Sequence, residues 1–137
     1  SSSGNSGSNL PHYPSSFSNV ISVGAIQSNE TLASFSNYGS TIDLVAPGSQ
    51  IITTNLNNTY KIISGTSASA PFVSAAISII LSYNNFNNEE IKQVIKTTCK
   101  DLGDAGWDEK YGAGNLDLEK ALKLLLPSEI KINFLIL

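Results

Sequence analysis

The chain has 137 residues, 41% of them apolar and 14% charged, with a formal net charge of −3; that is one ordinary domain's worth of sequence, apolar enough to bury a core. Only eight residues are Lys or Arg, with no basic run and no basic patch interleaved with aromatics, which excludes a surface built to track a phosphate backbone. The single cysteine, Cys99, and single histidine, His12, exclude an intrachain disulfide and a zinc cluster of thiolates and imidazoles.

Residues 1–10 are rich in Ser, Gly and Asn and contain neither a basic nor an apolar targeting region. Residues 20–25 (Val-Ile-Ser-Val-Gly-Ala) are β-branched and mostly apolar between turn-formers, as expected of a strand covered on both faces in a parallel sheet. Further strands are expected at 42–46, stopped by Pro47 and Gly48, at 51–54, and at 60–64 after the turn-rich 55–59. A helix follows from near Thr66 to about Tyr83, apolar on nearly every side and so expected to be buried all round. Its apolar stretch, 68–81, is interrupted by Ser69, Pro71, Ser74 and Ser78 and falls short of the roughly 20 residues of a membrane span, so no span is expected.

Residues 88–98 place Ile91, Val94 and Ile95 on one helical face, with Asn87 or Asn88 as N-cap and Glu89 and Glu90 where the helix dipole favours acids. A glycine-rich loop then carries Trp107 and Tyr111, expected to be packing residues, into a third helix at 118–126 with Asp117 as cap and Pro127 as stop. The alternation of Ile130, Ile132, Phe134 and Ile136 makes 128–137 a strand-like tail. Strands alternating with helices place the chain in the α/β class.

The segment Gly65-Thr66-Ser67-Ala68-Ser69-Ala70-Pro71 joins an apolar strand to a buried helix. Gly65 permits a sharp turn, and Ser67 then sits at a helix N-terminus, where free N–H groups favour developing negative charge. Pro71 is expected to fall in the first turn, whose amides need no intrahelical acceptor. Taken alone, the same string also fits a small-residue packed helix with Ser/Thr caps.

This segment resembles the G-T-S-x-x-x-P nucleophile motif of the subtilisin-like serine proteases, the subtilase family. The resemblance extends in the family's order through Ser1 to Asn5, Tyr13-Pro14, Val23-Gly24-Ala25, the run from Ala33 to Gly39, the run from Asp43 to Gly48, and Tyr111-Gly112-Ala113-Gly114. It implies a three-layer α/β/α fold with a mostly parallel sheet, residues 1–127 forming the C-terminal portion of a catalytic domain and 128–137 a further segment or chain end. The implied activity is endopeptidase, with Ser67 as nucleophile and Asn5 as the side-chain donor of an oxyanion hole.

Gly4, His12, Gly65 and Thr66 are the implied substrate-binding residues. His12 matches a segment lining the pocket for the residue before the cleaved bond; it is either a specificity residue or a loop histidine without a role, and it is not the expected base. No cofactor is needed for the chemistry, but Asp43, with carbonyls near Ser15, Phe17 and Val20, matches a weak Ca²⁺ or Na⁺ site of some relatives. The family's histidine (H-G-T) and aspartate (D-[ST]-G) have no match here, so the chain alone is expected to be inactive. The implied partners are a polypeptide substrate and the N-terminal half of the same domain, and the implied location is secreted or cell-surface. The rival reading is a non-catalytic module of the same fold.

Overall fold

The computed structural model describes residues 1–83 and 85–125. The expected helix end at Leu126 and Pro127 and the strand-like tail at 128–137 lie outside the described residues.

Small and β-branched residues build the centre. Val23–Ile26 (β1) and Leu44–Pro47 (β2) pair in parallel, with Val23 opposite Leu44 and Ile26 opposite Pro47. Seven of the eight residues in these strands are buried, which is why neither strand alternates with polar positions. Both strands begin two or three residues later than the composition implied. Ser22 is already engaged: its carbonyl accepts from the Asp43 and Leu44 amides, and its own amide donates to the Asp43 carboxylate, so the regular ladder starts at Val23.

Two short extended rows widen this sheet. Ser2 bridges Val23 in parallel on one side, and Asn115 bridges Val45 in parallel on the other. Neither row was expected, because the flanking Ser-Ser-Ser-Gly and Gly-Ala-Gly-Asn strings have loop composition; backbone pairing supplied from β1 and β2 makes them extended.

One face of the sheet, through Val23, Leu44 and Ala46, carries the apolar core shared with three helices: Thr66–Tyr83 (α1), Asn88–Thr98 (α2) and Leu118–Leu125 (α3). The other face is covered around Gly24 by the 33–37 segment, where the Ala25 amide donates to Ser36 Oγ at 2.9 Å. α2 opens with a capping box: Asn87 Oδ1 accepts from the Glu89 and Glu90 amides, and Glu90 reaches back to the Asn87 amide. α3 is capped by Asp117, which accepts from the Lys120 amide at 2.8 Å. Trp107 and Tyr111 tie their loop to the sheet region, Trp107 Nε1 donating to the Ile42 carbonyl and the Tyr111 hydroxyl accepting from the Leu32 amide.

Ile51–Asn55 (β3) and Thr59–Ile63 (β4) form an antiparallel hairpin apart from the main sheet, closed by Asn57 and Asn58 in the left-handed conformation that asparagine tolerates. Ile52, Leu56, Tyr60 and Ile62 are exposed on it.

α1 departs from expectation in two respects. It is not buried all round: Ala68, Val73, Ala76 and Ile80 face β1 and β2, whereas Phe72 and Ile79 are each 41% exposed and Tyr83 is 54% exposed. Its length and composition would suit a membrane crossing, but here it is a core helix docked on the sheet by one face. Pro71 lies one turn deeper than expected, inside the helix, where an ordinary residue would donate to the Ser67 carbonyl; the ring leaves that carbonyl without its intrahelical partner.

Candidate active site

The site forms at the C-terminal edge of the parallel sheet, where open α/β folds place ligands. The first extended row ends at Gly4 and Asn5. Gly4 is buried with φ 106°, and a Cβ there would lie 2.5 Å from Asn37 Nδ2 and 3.0 Å from His12 Cδ2, so only glycine fits. Asn37, itself buried, accepts with Oδ1 from the Ser6 and Ser8 amides at 2.9 and 3.3 Å and shapes the loop after Asn5.

On the opposite side, β4 runs into Gly65, whose amide donates to the Gly48 carbonyl at 2.8 Å. Gly65 has φ 154°, and a side chain there would crowd the Asn5 amide, its Cβ lying 3.3 Å from Nδ2. The chain then enters α1, which carries no acidic residue in its first turn, so nothing offsets the positive end of the helix dipole. Ser67 is exposed in that first turn, between the fully buried Thr66 and the buried Ala68.

Thr66 joins the two halves. Its amide and its hydroxyl both donate to Asn5 Oδ1, at 2.8 and 2.9 Å, while the hydroxyl accepts from the Gly4 amide at 3.2 Å. A backbone N–H can only donate, so the Asn5 oxygen must face Thr66 and the amide nitrogen is turned outward as a donor. The site therefore presents an exposed hydroxyl and an oriented side-chain N–H on neighbouring residues around a helix N-terminus.

His12 is exposed beside Gly4, and its hydrogen bonds run through its backbone to Ser15 and Ser16. It lines the approach to Asn5 and forms no hydrogen bond with Ser67. A pocket of about 330 Å³ opens on the other flank of Ser67, lined by Ile51, Ile63, Ala68, Pro71, Phe72 and Ala75 among others. The sequence reading missed the hairpin residues Ile51 and Ile63 here; their only signal was apolar character in strands leading directly into the Ser67 motif.

The expected cation position at Asp43 does not fit a metal ion. Asp43 is buried, and its Oδ2 accepts from the Ser22 amide at 2.9 Å and pairs with Lys92 Nζ at 3.0 Å, while Oδ1 pairs with Lys96 Nζ at 3.2 Å. Lys92 also takes the nearby Ser18 and Val20 carbonyls. Among the described residues no group of three or more His, Cys, Asp or Glu side chains converges.

Comparison with known proteins identifies the family. Residues 1–114 match the subtilase family, Peptidase_S8. The chain is 44% identical over 112 residues to the thermophilic serine proteinase of Bacillus sp. (strain AK1), covering 82% of this chain and 28% of that protein. It is 38% identical over 121 residues to subtilisin DY of Bacillus licheniformis, covering 87% of this chain and 43% of that protein. Among solved structures, the prenylagaramide maturation protease PagA superposes with a TM-score of 0.81 at 25% identity over 92% of this chain and 50% of that one. A lanthipeptide protease superposes with a TM-score of 0.83 at 25% identity, over 91% and 50%. The chain thus spans half or less of each of these relatives, and within that span it belongs to the subtilase family of subtilisin-like serine proteases.

Proposed function

We propose that this chain supplies the nucleophile and the oxyanion-binding groups of a secreted or cell-surface serine endopeptidase, as the C-terminal portion of its catalytic domain. The observation that carries the proposal is the clamp of Thr66 on Asn5, which turns the Asn5 N–H outward next to Ser67 at an uncompensated helix N-terminus. The rival, a non-catalytic module of the same fold, is the reading that a substituted histidine upstream would favour.

In this reading Ser67 Oγ attacks the carbonyl carbon of a peptide bond while a histidine takes its proton and an aspartate orients the histidine, both supplied from outside this chain. The tetrahedral oxyanion is held by Asn5 Nδ2–H and the Ser67 backbone N–H. Collapse breaks the C–N bond as the histidine gives its proton to the leaving amine, and the acyl group left on Ser67 is removed by water, which the same histidine activates. Gly4, Gly65 and Thr66 hold the substrate-facing backbone in place, and His12, beside Gly4, faces the residue before the cleaved bond, where the ring nitrogens of an imidazole offer hydrogen bonds to a polar side chain. The exposed apolar face of α1 and the pocket beside Ser67 are where the N-terminal half of the domain packs.

A fluorophosphonate probe applied to the full-length protein tests the assignment. Labelling of wild type that is lost in Ser67→Ala is the expected result; a folded preparation that stays unlabelled refutes the endopeptidase reading.

A further inference from the structure

Three oxygen atoms, one from Asp43 and two from the 12–20 loop, converge on the ammonium of Lys92. Asp43 Oδ2 lies at 3.0 Å, the Ser18 carbonyl at 3.1 Å and the Val20 carbonyl at 3.2 Å. The ammonium donates to the two carbonyls and is paired by charge with the carboxylate. The arrangement is largely closed to water, with the side chains of Lys92 and Asp43 only 14% and 10% exposed. Lys92 reaches it because Ile91, its neighbour on α2, is anchored in the core, which points position 92 along the flank of the helix toward the 12–20 loop.

One carboxylate and two backbone carbonyls make the donor set that hard cations take, though Ca²⁺ draws such oxygens to about 2.3–2.6 Å. The distances here are those of hydrogen bonds. Lys96, one helical turn on, neutralises the second carboxylate oxygen at 3.2 Å, so the position already carries more positive charge than the single carboxylate balances. A further cation would meet both ammonium groups.

We infer that Lys92 is a tethered cation standing where a metal ion would otherwise sit, that the clamp between the 12–20 loop, Asp43 and α2 is metal-independent in this protein, and that removing the ammonium opens a site for Ca²⁺ or Na⁺. The clamp holds the C-terminal end of the loop that bears His12, so a fixed organic cation keeps the wall near Gly4 in place without regard to the ions in the medium.

The test compares thermal unfolding of the full-length protein as wild type, Lys92→Ala and the double variant Lys92→Ala/Asp43→Asn. Each is measured in choline chloride with EDTA, in NaCl and in CaCl₂. Lys92→Ala is expected to melt below wild type in choline chloride and to regain at least about 3 °C more than wild type does when Ca²⁺ or Na⁺ is supplied. The separate salts say which ion enters, and the double variant is expected to lose this extra gain. Subtracting the wild-type response removes any ion sites elsewhere in the protein. Should Lys92→Ala fail to fold in all three salts, Lys92→Gln is put through the same comparison. A variant that responds to both ions no more than wild type overturns the inference.

Discussion

Thr66 does more than its place beside the nucleophile would suggest, because one hydroxyl both accepts from Gly4 and donates to Asn5. Asn5→Ala removes the oriented donor, and turnover is expected to fall about 100- to 1000-fold with little change in KM, the magnitude being that known for this donor in subtilisin itself. Thr66→Val keeps the backbone donation to Asn5 but breaks the hydroxyl relay, so kcat is expected to fall by less than in Asn5→Ala. Thr66→Ser restores the relay and should recover most of the loss; damage from Ser with none from Val would show that the methyl group, not the hydroxyl, matters. Cys99 raises a separate question of charge. Burial pushes its thiol from 9.0 up to about 12, outweighing the attraction of the nearby Lys120. A raised pKa in the folded state means that the unfolded chain sheds its proton first, so this contribution to stability is intact below pH 9 and is lost progressively as pH rises from 9 toward 12. Denaturant midpoints should therefore fall over that window in wild type and fall less in Cys99→Ala, the difference reaching at most about 4 kcal/mol.

The helix that carries Ser67 is set by how closely it approaches β1 and the turn after β2. Ser69 is fully buried, and a Cβ added to Gly48 would overlap its Oγ and lie 2.6 Å from Ala25 Cβ and 3.0 Å from the Gly65 carbonyl. These neighbours are backbone or short side chains in a packed interior and have little room to give. Gly48→Ala is expected to destabilise the protein by about 1–3 kcal/mol and to lower activity as well, since relief of the overlap moves the first turn of α1 away from Asn5. Calorimetry with steady-state kinetics checks this; a loss of stability with unchanged kcat would mean that the strain relaxes elsewhere. Pro71 acts on the same turn from within, because its ring nitrogen cannot donate the bond that an ordinary residue would give to the Ser67 carbonyl.

The distribution of apolar surface over the described residues is uneven. α1 buries one face against the sheet and leaves Phe72, Ile79 and Leu81 exposed, next to a hairpin whose Ile52, Leu56, Tyr60 and Ile62 are also exposed. Large apolar side chains exposed in such number on one helix and a nearby hairpin mark an interface. If the rest of the catalytic domain covers it, the isolated chain should aggregate and resist fluorophosphonate labelling, whereas co-refolding with the N-terminal half should restore both solubility and labelling of Ser67. Soluble, monomeric behaviour of the isolated chain, shown by light scattering, would mean that the face needs no such cover.

Local patterns in the chain were sufficient for the helices and for the α/β class, because caps, apolar period and glycine-bounded turns are short-range features whose physics acts within a few residues. Asn87, Asp117 and Gly65 each do what their neighbours in sequence dictate. What depended on tertiary structure was every feature made by residues far apart in the chain. Strand starts moved because Ser22 is held by Asp43, the outer rows became extended because β1 and β2 offered partners, and one face of α1 stayed open because no described element covers it. The same holds at the site. Asn5 was named by its resemblance to a family motif, but the direction of its amide is set by Thr66, 61 residues away, and the Asp43 carboxylate pairs with two ammonium groups from α2.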